Sequence, residues 1–244
     1  MRAGFRRFAK RAALATDRVV GPPLRRLGFN TKGLYEYAYW RSRLSEEKEF
    51  GNAFYGRMFT RSVGLSSAFY ADKCVLDVGC GPRGSLEWAS HAAERVGVDV
   101  LVGRYRRFGI EGHSMRYVEA GAENMPFDDG YFDIVTSFNA LDHVEDVRAS
   151  LQEMTRVLRP GGMLVLVVDI HRRPTVAEPH ALPWDLVSWL DPTLEVVDER
   201  HLEKPTTGDY LANPVPFDHD DPSDRYGVLV IKARKREVTA SAGE

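Results

Sequence analysis

The sequence predicts an α/β fold: a doubly wound, mostly parallel sheet with a helical segment ahead of it. Three observations predict it. From residue 73 onward, short apolar runs alternate with segments patterned as helices. The first run leads into a glycine-rich loop, VLDVGCGPRG at 75–84. A later run, MLVLVVD at 163–169, is apolar throughout, as a central parallel strand buried on both faces requires.

The bulk properties narrow the field. With 244 residues, 43% hydrophobic and 28% charged, the chain suits one globular domain with additional segments. A net charge of -2 argues against a generic polyanion binder, and no basic stripe crosses the core region, so no nucleic-acid partner is expected. No apolar run of about 18 residues predicts a membrane span. The N-terminus has arginines but no apolar signal core. Cys74 and Cys80 have no Cys or His at zinc spacing, so the expectation is a reducing cytoplasm and no metal site.

In chain order, residues 1–30 form a basic arm. Phe5, Phe8, Ala9 and Ala12 share one helical face among Arg2, Arg6, Arg7, Lys10 and Arg11. Such a helix suits an anionic membrane surface, and a partner-docking or disordered arm suits the same pattern. Gly21-Pro22-Pro23 breaks it. Residues 31–70 are rich in aromatic rings with interspersed charges and read as a helical cap in which most rings pack. The main domain spans 71–236. Its predicted strands are KCVLDV (73–78), RVGVDV (95–100), MRYVEA (115–120), FDIVTSF (132–138) and MLVLVVD (163–169), followed by LEVVDERHL (194–202) and YGVLVIKARK (226–235). SLEWASHAAE (85–94) reads as a helix. So does 145–159, with Glu145 and Asp146 at its start, Arg156 and Arg159 at its end, and Val147, Leu151, Met154 and Leu158 as its buried stripe. Pro160-Gly161-Gly162 is expected to stop it. The Pro- and Asp-rich stretch 204–225 reads as a loop, and 237–244 as a disordered tail.

The loop poses a question of ligand charge. Gly79, Gly81 and Gly84 spell G-x-G-x-x-G, which allows a tight turn and close backbone approach to a ligand. Asp99, at the end of the second strand, is placed to accept ribose hydroxyls. Both features suit a dinucleotide as well as other nucleosides. Asp77 separates the cases: a carboxylate just before the loop repels a pyrophosphate and favours a cationic ligand such as S-adenosylmethionine. Asp77 is alternatively a loop-stabilising residue that bonds backbone N–H groups.

With these residues in view, VLDVGCGPRG, GVDV, GAENMPFDDGYFDIVTSFNALDHVED and EMTRVLRPGGMLVLVVD together resemble the class I S-adenosylmethionine-dependent methyltransferases of the methyltransferase-11 type. The resemblance covers roughly residues 73–170. It implies a seven-stranded sheet whose last strand is reversed, and S-adenosylmethionine as cofactor. It also implies cofactor contacts from Asp77, Gly79, Cys80 and Gly81 around the methionine end, Asp99 on the ribose, and Val100, Ala122 and Glu123 around the adenine. Asn139 would meet the methionine end. Gly121 departs from the family pattern, in which an Asp often precedes the Ala-Glu pair.

Methyl transfer needs an aligned acceptor, exclusion of water and, for a hydroxyl, a base. His143 is the candidate base and Asp142 its candidate partner. A packing role for His143 is the competing reading. Tyr39 and Trp40 of the cap, with Asp169 and His171 after the fifth strand, are candidate acceptor contacts. DIHRRPTVAEPH (169–180) also supplies Glu178 and His180, in a spacing that matches no zinc motif. The expected activity is methylation of a small molecule, with oxygen as acceptor atom. A saccharide or lipid-linked acceptor, a non-catalytic cofactor-binding scaffold and a nicotinamide-dependent oxidoreductase are the alternatives.

Overall fold

The computed structural model describes residues 31–171, 173–174, 178–204, 214–223 and 225–237. The basic arm at 1–30 and, apart from Glu237, the tail at 237–244 lie outside the described residues. Seven strands form one sheet: β1 (Cys74–Val78), β2 (Glu94–Val98), β3 (Arg116–Val118), β4 (Phe132–Phe138), β5 (Leu158–Ile170), β6 (Leu194–Glu203) and β7 (Gly227–Lys235). Their order is β3-β2-β1-β4-β5-β7-β6. The first five pair in parallel, and β7 runs antiparallel between β5 and β6. The order reverses at β1, between β2 and β4, the place where such sheets bind their ligands.

β5 is buried on both faces, as its apolar run predicts. Leu164, Leu166, Val168 and Ile170 point into one core layer, and Met163, Val165 and Val167 into the other. The first layer is closed by the helix α2 (Val147–Val157), whose Val147, Leu151, Met154 and Val157 join that cluster. Asp146 caps α2 by accepting from the N–H groups of Arg148 and Ala149. Residues of the cap close the opposite face: Val63 packs on β5 and β7, and Phe59 and Tyr70 pack on β1 and β4.

Two local expectations are corrected. Residues 85–93 are turns, not a helix. Arg95 donates to the carbonyls of Leu86 and Glu87, at 3.5 and 3.2 Å, which takes acceptors that a helix would use. Successive turns of the i to i+3 type remain, such as Glu87 N–H to Gly84 O at 3.1 Å. Pro160-Gly161-Gly162 does not divide helix from strand. β5 already starts at Leu158, and a register shift against β4 between Phe132 and Ile134 absorbs the irregularity. Arg156 stands in the last turn of α2, as expected, and its guanidinium turns to Glu153 and Asp129 and donates to the carbonyls of Met125 and Phe127, which pins the loop before β4.

Candidate cofactor and acceptor site

The glycine loop leaves β1 and folds back onto β2. Gly79 N–H and Cys80 N–H both donate to Val98 O, at 2.8 and 3.2 Å. Gly79 has φ +77°, and a Cβ there would overlap the Ala140 methyl, so both its conformation and its closeness to the end of β4 demand glycine. Asp99 ties the loop to the end of β2: its Oδ2 accepts Gly81 N–H at 3.2 Å and its Oδ1 accepts Leu101 N–H at 2.9 Å. Burial raises the pKa of the Asp99 carboxyl. The neighbouring Glu36 adds to the rise, and the two N–H groups oppose it.

Asp77 is fully engaged inside the domain. Ser85 Oγ donates to its Oδ2 at 2.5 Å and Thr136 Oγ1 to its Oδ1 at 2.8 Å. Burial pushes its carboxyl up to about 7, with the two hydroxyls pulling the other way. Its side chain therefore clamps the loop to β4. Cys80 is likewise buried beneath the loop, next to Gly97 of β2, and burial holds its thiol well above the usual range.

The cap stands over this loop. Helix α1 (Thr31–Glu47) brings the Trp40 ring so close that a Cβ on Gly81 would sit 3.1 Å from it. Tyr39, an exposed residue, meets Trp40 edge-on at 5.2 Å between centroids. Arg83, the basic residue of the loop, does not face a ligand. Its guanidinium forms a bidentate pair with Glu47, both bonds 2.7 Å, and lies over the rings of Phe50, Trp40 and Phe54.

A second group of polar side chains gathers where β4 and β5 end. Asp142 and His143 sit in the 3-10 turn Leu141–His143, with His143 Nε2 3.7 Å from Asp142 Oδ1. His171 follows β5, its Nδ1 donating to Arg173 O at 2.8 Å and its Nε2 lying 3.9 Å from Asp142 Oδ2. Burial raises the Asp142 carboxyl; His143 lowers it, and Asp169 and Glu178 raise it further. Asp169 is paired with Lys204. A cleft of about 440 Å³ opens beside His171, lined by Ile170, Leu182, Trp184, Phe217, His219 and Arg225 among others.

The predicted residues therefore fall into two neighbourhoods. Gly79, Gly81, Asp99 and Trp40 meet at the loop; Asp142, His143 and His171 meet at the ends of β4 and β5. Val100 is 51% exposed just past β2, an apolar surface beside Asp99. Ala122 is buried in the core. Glu123 turns to the start of α2, where its Oε1 accepts the N–H groups of Glu145 and Asp146. Asn139 adopts φ +51°, and its N–H donates to Val167 O, which turns the chain sharply at the end of β4. Sequence reasoning missed Glu36, Glu47 and Arg83 as one unit with the loop. The only hint was acidic residues in a segment otherwise dominated by rings.

Residues 76–166 match the family model described as a methyltransferase domain. The matched stretch holds the loop, Asp99, Asn139 and the Asp142-His143 turn. Over that stretch the chain is similar to the class I methyltransferases. Among curated relatives, tocopherol O-methyltransferase of Arabidopsis thaliana is 28% identical over 167 residues, 59% of this chain and 48% of the relative. Demethylmenaquinone methyltransferase of Mycolicibacterium gilvum is 46% identical over 99 residues, 39% of this chain and 41% of the relative. The chain spans about half the length of the curated relatives it matches. In fold, the methyltransferase domain is similar to the crystal structure of a putative methyltransferase from Bacillus halodurans, with a TM-score of 0.53 and 21% identity, covering 72% of this chain and 96% of that one.

The family's cofactor is S-adenosylmethionine, and the residues present fit it. Each Asp99 oxygen accepts one backbone N–H and keeps lone-pair capacity for a ribose hydroxyl. Glu36 close to Asp99 makes the site acidic, and Arg83 is committed to Glu47. That charge pattern suits a sulfonium nucleoside and disfavours a pyrophosphate. Among the described residues no helix is long and apolar enough to cross a membrane.

Proposed function

We propose that the chain transfers the methyl group of S-adenosylmethionine to a small molecule, with oxygen as the acceptor atom. Residues 71–236 form the transfer domain and residues 31–70 the cap over its cofactor. The observation that carries this reading is the doubly bonded Asp99 beside an acidic, glycine-lined loop within a methyltransferase domain. When bound, the cofactor supplies the electrophilic methyl carbon. Asp99 holds the ribose, Val100 offers its apolar side to the adenine, and the N–H groups of the loop receive the cofactor's carboxylate. Trp40 excludes water on the cap side.

The acceptor enters the cleft beside His171. Trp184 and Phe217 give it flat apolar walls, which suit an aromatic or other planar ring. Its hydroxyl is directed to the cluster of Asp142, His143 and His171, which assists loss of the proton. A carbon acceptor is the second reading, favoured by 42% identity over 86 residues to a ubiquinone/menaquinone biosynthesis C-methyltransferase of Vibrio parahaemolyticus.

The test is transfer of a labelled methyl group to a panel of phenols and hydroquinones, read by mass spectrometry. Label on oxygen, with turnover lowered about tenfold or more by His143→Ala, supports the reading. Label on carbon favours the second. Binding of S-adenosylhomocysteine with no transfer to any acceptor indicates a scaffold.

A further inference from the structure

The ends of β4 and β5 bring together donors that the mechanism above uses only in part. Asp142, His143 and Glu178 each offer a ligand atom within 4.8 Å of the others. His171 approaches the same point from β5. Its Nε2 is 3.9 Å from Asp142 Oδ2 and 4.0 Å from Glu178 Oε2.

Two buried atoms show that these groups do not satisfy one another. His171 has a side chain only 3% exposed, and its Nε2 has no hydrogen-bond partner. Asp142 has a side chain 2% exposed, and its Oδ1 likewise has none. The His171 ring is also oriented for a purpose. Nδ1 donates its proton to Arg173 O at 2.8 Å, so the neutral ring presents the lone pair of Nε2 to two carboxylates. A lone pair facing two carboxylates is unfavourable until a positive charge, a proton or a metal ion, lies between them. Donation of the far ring N–H to a backbone carbonyl is the arrangement that fixes a metal-binding histidine.

We propose that Asp142, His143, His171 and Glu178 form a site for one divalent transition-metal ion of the zinc type. Two imidazoles with two carboxylates favour such an ion over magnesium or calcium, which prefer oxygen alone. Tetrahedral ligand bonds of about 2.1 Å place donor atoms about 3.4 Å apart. The three separations of 3.7, 3.9 and 4.0 Å are slightly longer, and small side-chain rotations close them around an ion. Asp169, held by Lys204, stays outside the set. The spacing of these residues along the chain hides the site, because 142–143 and 171–178 converge only when β4 and β5 lie side by side.

The ion's part in transfer rests on the proposed function. An acceptor hydroxyl reaching the ion from the neighbouring cleft loses its proton more readily, and the proton leaves to solvent. His143 then acts as a ligand that positions the ion, and the loss of turnover in His143→Ala follows from loss of the metal.

The test is isothermal titration of the chelator-treated full chain with zinc chloride, with magnesium chloride as a second titrant. About one zinc ion per chain, weakened about tenfold or more by His143→Ala and by Glu178→Gln, is the expected result. His201 and His219, hydrogen-bonded to each other at 2.9 Å on the edge of the sheet, are the rival zinc ligands. Replacing both with alanine must leave the stoichiometry unchanged. No saturable zinc binding, magnesium binding in its place, or zinc lost only with His201 and His219 overturns the proposal. Thermal melts of the metal-free variants separate lost ligation from lost folding: the same zinc concentration must raise the melting temperature of the native chain more than that of His143→Ala. Titration of the same metal-free samples with S-adenosylhomocysteine separates the two claims, since Asp99 binds the nucleoside without the ion.

Discussion

Replacing Asp77 with asparagine removes a buried charge while nearly preserving shape. The carboxyl has an ordinary value of 3.8 and is pushed up to about 7 by burial, despite bonds from Ser85 and Thr136. A raised acid keeps its proton longer in the folded chain than in the unfolded one. Its effect on stability is therefore absent below about pH 4, grows unfavourable as pH rises, and is complete above about pH 7. Each pH unit in that window costs about 1.4 kcal/mol, so the interval from pH 5 to pH 8 carries about 3 kcal/mol. For a chain of this size that is about 6–12 °C in melting temperature. Asparagine has no such titration. Thermal melts at both pH values should show the native chain losing that much more than Asp77→Asn between pH 5 and pH 8. Parallel losses in the two proteins would refute the assignment of Asp77 as a buried clamp of the loop.

Other outcomes follow from the same geometry. Gly79→Ala combines an unfavourable φ with an overlap on Ala140 and should cost about 2–4 kcal/mol by denaturant unfolding. Glu47→Gln leaves Arg83 without its charged partner, so stability should fall by about 1–3 kcal/mol and proteolysis of the cap should quicken. Trp40→Ala uncovers Gly81 and should weaken S-adenosylhomocysteine binding, measured by calorimetry on protein shown by thermal melts to be folded.

The parts of this fold that sequence revealed are those with a local cause. Gly79 and Gly81 announce a turn that only glycine makes, and Asp99 stands at the end of a strand. The unbroken apolar run of β5 identifies a strand covered on both faces. The reversed last strand came from the family resemblance, and β7 takes that place. What stayed hidden depends on partners distant in sequence. The expected helix at 85–94 fails because Arg95 captures two carbonyls, a competition that no helical periodicity records. Asp77 reads as a ligand-facing charge until Thr136 from β4 and Ser85 from the loop close around it. The partner of Arg83 is Glu47, 36 residues earlier, a pairing that nothing near the loop in sequence records. Glu178 looks like one acid in a polar loop until β5 delivers it to Asp142 and His171.

The central claim is that the loop and Asp99 receive a sulfur nucleoside and not a dinucleotide. Calorimetric titration of the full chain with S-adenosylhomocysteine and, separately, with NAD tests it most directly, in the native protein and in Asp99→Ala. The account predicts saturable binding of the sulfur nucleoside, weakened by about 1–3 kcal/mol in Asp99→Ala, and no binding of NAD. Tight NAD binding, or affinity for S-adenosylhomocysteine that survives the loss of Asp99 unchanged, would contradict it.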